Sequence, residues 1–216
     1  AVRSYGTSIY FKPDPKIFAK TEFNIQLIVE QAESKSFLNK GLKVVVCGIN
    51  EKKEFQYPNG IQDYIEKIIG KRSTLSDTPF YIEKEDKKMR LETAFQWTSG
   101  TETIVHSYAN AIKTVDGGSH ENGFRNGTTK ALRSYIDRRK LLPKGINNIT
   151  GDDVREGLIA IINVYLQGDV EFQGQTKGRL NSDITSQVES VVKHSLEHYL
   201  LENQTMGDLI ANRVIL

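Results

Sequence analysis

The sequence predicts a mixed α/β fold. Apolar runs of strand length, at Leu42–Ile49, Met89–Trp97 and Leu158–Leu166, alternate with stretches whose apolar residues recur every three to four positions. Glycines mark the boundaries, among them Gly41, Gly70, Gly100 and Gly157. With 38% hydrophobic and 26% charged residues, and nine Phe, nine Tyr and one Trp in 216 residues, the chain can bury a sizeable core and is not disordered.

The chain begins with Gly6–Lys12, a lone aromatic-rich strand that stops at Pro13-Asp14-Pro15, a turn neither strand nor helix continues through. Thr21 is the N-cap of a helix whose Ile25, Ile28, Val29, Ala32, Ser36 and Phe37 share one side, with Gly41 as the stop. Leu42–Ile49 follows as a buried strand, in which Cys47 is a small core residue. A second helical stripe, Ile61, Tyr64, Ile65, Ile68 and Ile69, ends at Gly70, and the aperiodic polar residues 71–78 form a loop. Met89, Leu91, Thr93, Phe95 and Trp97 alternate with Arg90, Glu92 and Gln96, the pattern of a strand with one wet face. A turn at Thr98–Thr101 then returns the chain as Glu102–Ala109, completing a hairpin.

Asp116-Gly117-Gly118-Ser119 leads into a long helix reaching about Leu142. Ser119 is its N-cap, and Gly123 and Gly127 allow another element to pack closely. Thr150-Gly151-Asp152-Asp153 has capping-box spacing and opens a short helix stopped by Gly157. After the strand Leu158–Leu166, residues 167–181 form a loop. The final helix places Ile184, Val188, Val191, Val192, Ser195 and Tyr199 on one side.

Charge narrows the function classes. Lys and Arg total 29 against 27 Asp and Glu, a net +2, so binding of nucleic acid through bulk electrostatics is disfavoured and any DNA contact must be local. Apolar runs of about six residues fall short of the roughly 20 that span a bilayer. The N-terminus Ala1–Gly6 lacks a signal pattern, and a single cysteine cannot form an internal disulfide. A cytoplasmic chain without membrane contact is expected.

Several constellations could carry chemistry. Gly174-Gln175-Thr176-Lys177-Gly178 lies between a strand and a helix, where glycines admit a ligand close to the backbone and Lys177 supplies a mobile charge for a terminal phosphate. It lacks the Gly-Lys-Ser/Thr ending of a Walker A loop. The amides at 116–120 open a helix and would attract an anion. Along that helix Lys130, Arg133 and Lys140 lie opposite Phe124, Ala131, Leu132 and Tyr135, with Arg125 on the shoulder, a strip on which a polyanion could dock. A solvated helix face would give the same pattern. His194-Ser195-Leu196-Glu197-His198 has the spacing of a zinc-peptidase helix but too little chain follows for a third ligand, so no metal site is expected.

Three of these segments, Asp116-Gly117-Gly118-Ser119-His120 with Gly123-Phe124-Arg125, Thr150–Leu158, and Gln175-Thr176-Lys177, closely resemble in order and spacing the transducer domain of the B-type subunit of bacterial type II DNA topoisomerases. Leu38-Asn39-Lys40-Gly41-Leu42 and Tyr199-Leu200-Leu201-Glu202-Asn203 add to the likeness, which runs over essentially the whole chain. The resemblance implies a single two-layer α/β sandwich of the ribosomal-protein domain 2-like type, a mixed sheet with helices on one face. It implies that residues 1–14 are the last strand of a preceding GHKL ATPase domain and that 15–216 are the transducer. Gln175 and Lys177 would touch the γ-phosphate of ATP, held with Mg2+ in the longer enzyme and not by this part alone. Arg125, Lys130 and Arg133 are the candidates for facing DNA. Further implied partners are the A-type subunit and a TOPRIM domain, in a cytoplasmic, nucleoid-associated setting. The alternative is a non-enzymatic nucleic-acid-binding or scaffold module of the same fold.

Overall fold

A computed structural model describes residues 5–48, 51–145 and 148–215. In chain order the elements are α1 (Ile25–Leu38), β1 (Val44–Cys47), β2 (Lys52–Phe55), α2 (Ile61–Ile69), β3 (Phe80–Glu85), β4 (Met89–Trp97), β5 (Ile104–Ala109), β6 (Ile112–Lys113), α3 (Ser119–Arg139), α4 (Gly151–Arg155), β7 (Leu158–Leu166), β8 (Phe172–Gln173), β9 (Arg179–Leu180), α5 (Thr185–Glu202) and α6 (Gln204–Ile215).

The main sheet has the order β3-β4-β7-β5-β6. β7 pairs antiparallel with β4 and parallel with β5, so the expected hairpin of β4 with β5 does not form. The reason lies in β7: its Leu158–Val164 run is buried throughout and needs a partner along each edge, and it takes the place between the two strands. The parallel pairing then requires a crossover, supplied by α3 and α4.

Helices cover both faces of this sheet, a correction to the expectation of one. On one face α3, α5 and α6 bury Leu91, Phe95, Trp97, Ala160, Ile162 and Val164. On the other, α2 and the end of α1 bury Ala94, Tyr108, Ile159 and Ile161 under Leu38, Ile61, Ile65 and Ile69. The expected wet face of β4 is therefore covered, with Glu92 1% and Gln96 3% exposed. Their polar atoms are satisfied inside: Gln96 Nε2 donates to Ser76 Oγ at 2.9 Å, and Glu92 accepts from Tyr81 Oη at 2.8 Å.

Smaller differences have local causes. Asn24, not Thr21, caps α1 through its side chain, and Gly118 occupies the N-cap of α3, freeing Ser119 Oγ to donate to the Ser182 carbonyl at 2.5 Å. Residues 5–12 form no strand, and the Leu42–Ile49 strand is limited to β1, with Ile49 outside the described residues. Cys47 is exposed, because β1 pairs only with β2 in a separate two-stranded sheet. Strands β2, β3, β6, β8 and β9 and helix α6 are additions. α6 carries Gly207 in its interior, where a Cβ would approach Tyr135 Cζ to 2.6 Å; the glycine that weakens the helical pattern is what lets α6 pack. On α5 the fully covered stripe is Val188, Val192, Leu196 and Leu200, one step round from the expected one.

The long helix α3 meets α5 as closely as backbones allow. A Cβ at Gly123 would lie 2.6 Å from the Thr185 carbonyl and one at Gly127 2.8 Å from that of Glu189. Since an added methyl must separate two helices packed at native density, Gly123→Ala is expected to lower unfolding stability by about 2 kcal/mol in urea titration. An unchanged midpoint with an unchanged slope would show that the helices can part without cost.

Candidate functional site

The Asp116–Ser119 and Gln175–Lys177 motifs, some sixty positions apart in the sequence, are joined through their backbones. β8 and β9 form a short antiparallel ribbon whose tip is Gly174–Gly178. At its base Asp116 N donates to the Gly178 carbonyl at 2.8 Å, and Leu180 N donates to the Gly117 carbonyl at 3.1 Å. Arg179 Nη1 reaches the Asp116 carbonyl at 3.3 Å. Gly118 lies against Leu180 so closely that a Cβ would fall 2.6 Å from the Leu180 carbonyl, and its φ of 145° is itself disfavoured for side-chain-bearing residues. Both motifs therefore converge on the start of α3.

The tip itself stands in solvent: Gln175, Thr176 and Lys177 are all exposed. Lys177 has φ 56°, in the left-handed region uncommon for a non-glycine residue, stabilised by its N–H bond to the Gly174 carbonyl at 3.3 Å. Its ammonium lies 5.6 Å from the Phe172 ring centroid, a cation–π contact that restrains the side chain while leaving its hydrogen-bond donors available. Beside the loop, Thr176 helps line a groove of about 610 Å³ with Leu27, Phe37, Tyr64 and Tyr108.

Behind the start of α3 runs a buried polar chain. His120 Nε2 bonds Thr114 Oγ1 at 3.0 Å, Thr114 Oγ1 lies 2.8 Å from Ser107 Oγ, and Ser107 donates to Glu121 at 2.9 Å. Glu121 also takes an ion pair from Arg125. Burial pushes the His120 pKa down to about 4, outweighing the opposing charge of Glu121. This histidine is thus held neutral, as a structural member of the chain.

The three expected DNA-facing side chains are all engaged internally. Arg125 pairs with Glu121, and Lys130 lies 2.5 Å from Glu189. Arg133 donates from Nε to the Ile149 carbonyl at 2.9 Å, fixing the segment that leads into α4. Of the three only Lys130 is exposed. The His194 and His198 rings bond within α5, to Ser190 and Glu202, and among the described residues no group of three His, Cys, Asp or Glu side chains is placed to hold a metal ion. Likewise no helix among them is long and apolar enough to cross a membrane. The backbone contacts of Asp116, Gly117 and Leu180 escaped the sequence pattern; only the paired glycines at 117–118 hinted at a close approach.

Proteins of known identity are similar to this chain in sequence and in fold. A family profile described as DNA gyrase B matches residues 60–216. The DNA gyrase B protein of Streptococcus pyogenes serotype M1 is 35% identical over 98% of the chain, and that of Eisenibacter elegans 37% over 98%. The chain spans about a third of the streptococcal protein (33%) and 46% of the other. Among solved structures, the 43K ATPase domain of Thermus thermophilus gyrase B, in complex with an aminocoumarin, matches with a TM-score of 0.80 and 28% identity, over 95% of this chain and 56% of that one. The topoisomerase IV ATP-binding domain of Francisella tularensis, in complex with a small-molecule inhibitor, matches with a TM-score of 0.80 and 28% identity, over 94% and 55%. These matches share one class, the B-type subunits of type II DNA topoisomerases. Within it, the chain belongs to the DNA gyrase B family.

The depressed His120 pKa sets a pH dependence. The unfolded imidazole, with an ordinary value of 6.5, binds a proton that the folded one refuses until about pH 4. Stability should therefore be complete above about pH 6.5 and fall, by up to roughly 3 kcal/mol, as the pH drops toward 4. Urea midpoints of the wild type should fall across this window, and those of His120→Gln should fall less; equal slopes would remove His120 from the account.

Proposed function

We propose that this chain is the transducer region of a B-type subunit of a type II topoisomerase, which converts the nucleotide state of a neighbouring ATPase domain into movement of the parts that handle DNA. One observation carries the reading: the 175–177 side chains are exposed, while the base of their loop is hydrogen-bonded to the segment that starts the central helix α3. A displacement imposed on Lys177 is thereby delivered to α3, and through Gly123 and Gly127 to α5.

In the assembled enzyme ATP, with Mg2+, supplies a γ-phosphate that is attached before hydrolysis and released after it. Lys177 is suited to meet it as a point charge and Gln175 as a neutral donor. A contact available in only one nucleotide state gives the two states different energies, which is what a ligand-driven switch requires. By itself the chain is expected not to turn over ATP.

The proposed ATPase domain precedes this region. Ile9, Tyr10, Phe11, Ile17, Phe18, Phe23, Ile25 and Leu27 are exposed, a concentration of large apolar side chains over residues 9–27 suited to being covered by such a domain. The boundary is proposed near Asp14, and exposed apolar residues continue past it into α1, which favours extending the ATPase-side portion beyond that residue. DNA, the A-type subunit and a TOPRIM domain are proposed as the partners of the complete enzyme.

In the longer protein, Lys177→Ala is expected to reduce ATP turnover about a hundredfold, the cost of removing one preorganised donor to a reacting group. The melting temperature should stay unchanged, because the side chain is exposed. Turnover at the wild-type rate would sink the reading. For DNA, Lys130→Ala should make duplex binding less salt-dependent by at most about one unit of slope, because its ammonium, though paired with Glu189, is exposed. Arg125→Ala should do so less, since it is paired with Glu121 and only partly exposed, and Arg133→Ala should chiefly destabilise the 148–150 segment; a salt slope identical in all three variants counts against this face.

A further inference from the structure

The two faces of the main sheet are held together differently. Under α3 and α5 the sheet presents an almost wholly apolar lining. On the face toward α1 lie instead Arg90, Glu92 and Asn163, the last two direct partners across β4 and β7. Glu92 is 1% exposed and Asn163 fully buried. Among the described residues, neither polar atom of the Asn163 side chain has a partner, and neither does Arg90 Nε. These are three of the five buried side-chain polar atoms left without one, so the shortfall in hydrogen bonding is concentrated on this face.

The cation that compensates Glu92 comes from outside the sheet. Lys40, in the loop after α1, places its ammonium 3.2 Å from Glu92, 3.1 Å from Glu83 and 2.5 Å from Tyr81 Oη. Arg90 is farther from Glu92, at 3.7 Å. The Lys40 stem lies on Gly60, where a Cβ would come within 2.6 Å of Lys40 Cγ. Burial of Lys40 alone would lower its pKa, but the two carboxylates outweigh this and raise it. Besides Lys40, among the described residues the loop meets the main sheet only through Tyr165 Oη, which donates to the Leu38 carbonyl at 3.0 Å and lies 3.5 Å from Asn39 Oδ1; its other bonds run to neighbouring segments, with Asn39 Nδ2 donating to the Lys35 carbonyl at 2.9 Å and Gln56 Nε2 to the Gly41 carbonyl at 3.0 Å. Gly41 N donates to the Tyr57 carbonyl at 3.1 Å and Leu42 N to the Asn39 carbonyl at 3.0 Å. Gly41 has φ 77°, which makes it the natural pivot.

We propose that the loop Asn39–Leu42 is a flap latched by Lys40 to Glu92, and that it opens as a local unit, admitting water to Glu92 and to Asn163 beside it while the sheet stays folded. Two opposed effects set its balance. Opening hydrates polar atoms that have no partner when the flap is closed, which favours the open form. Opening also separates a buried carboxylate from its nearest cation, which favours the closed form. Over an apolar face both effects would be missing, and opening would only expose hydrocarbon. The latch is built from contacts within this chain alone and stands whether or not the chain transmits a nucleotide state.

Hydrogen exchange of the 216-residue chain, read residue by residue, tests the latch. In Lys40→Met the amides of Gly41 and Leu42 should exchange about tenfold faster or more, the equivalent of losing one charged hydrogen bond, with Ile159–Val164 unchanged. Glu92→Gln should act alike, and the double variant should exchange no faster than the faster single one, because both substitutions remove one interaction. Asn163→Leu, which removes the unpartnered amide at similar volume, should slow the same two amides. Rates at Gly41 and Leu42 that stay at wild-type values in both charge variants, or that rise in step with β7, would overturn the latch, as would faster exchange in Asn163→Leu.

Discussion

The arrangement depends on one contact between backbones, that of Gly117 and Gly118 with Leu180. No side chain fits between these segments, so the ribbon carrying the exposed loop is seated directly on the start of α3. A side chain interposed here could change rotamer and absorb a displacement. Main-chain hydrogen bonds at 2.8 and 3.1 Å have no such freedom, since each backbone group has only two soft torsions. The buried chain from Ser107 through Thr114 to His120 stiffens the same point from behind, fixing the strand end from which the glycine pair departs.

From that seat the rigidity continues inward. α3 is 21 residues long, and its two interior glycines bring it against α5 without a layer of side chains between the backbones. Its far end is tied to α6, where Tyr135 donates to Asp208 at 2.7 Å and Arg139 pairs with the same carboxylate at 2.8 Å. Each glycine in an exposed helix would cost about 1 kcal/mol in propensity. That α3 carries two, at the positions where α5 passes, shows that close approach outweighs local preference.

What was legible in the sequence follows the same division between local and distant causes. The α2 stripe and its Gly70 stop, the capping box of α4, the extent of β7 and the glycine contacts of α3 all rest on nearest-neighbour chemistry and could be read directly. Partner choice could not. The hairpin reading of β4 and β5 failed because a strand from sixty residues later separates them, and the polar side of β4 looked wet because the groups that satisfy Glu92 and Gln96 come from distant segments. α6 was hidden by the glycine that lets it pack. Of the site, the residue types at 116–119 and 175–177 were visible, but their meeting was not, because it is made by backbone hydrogen bonds between segments some sixty residues apart.

The same contrast bears on the basic strip of α3. Read as a pattern, Arg125, Lys130 and Arg133 form a cationic stripe; in the fold Glu121 and Glu189 neutralise two of them, and the third is held by a carbonyl. A phosphate approaching this face must compete with partners already at contact distance, and near-neutral overall charge adds little long-range attraction. Lys177 differs in kind. Its side chain is exposed and rests on an aromatic ring, and its backbone is held in the left-handed region, so a phosphate brought to the loop displaces only water and that ring. Electrostatic competition is therefore weaker at the loop than along the helix, which is why the proposed phosphate contact is assigned to Lys177 and not to the basic strip.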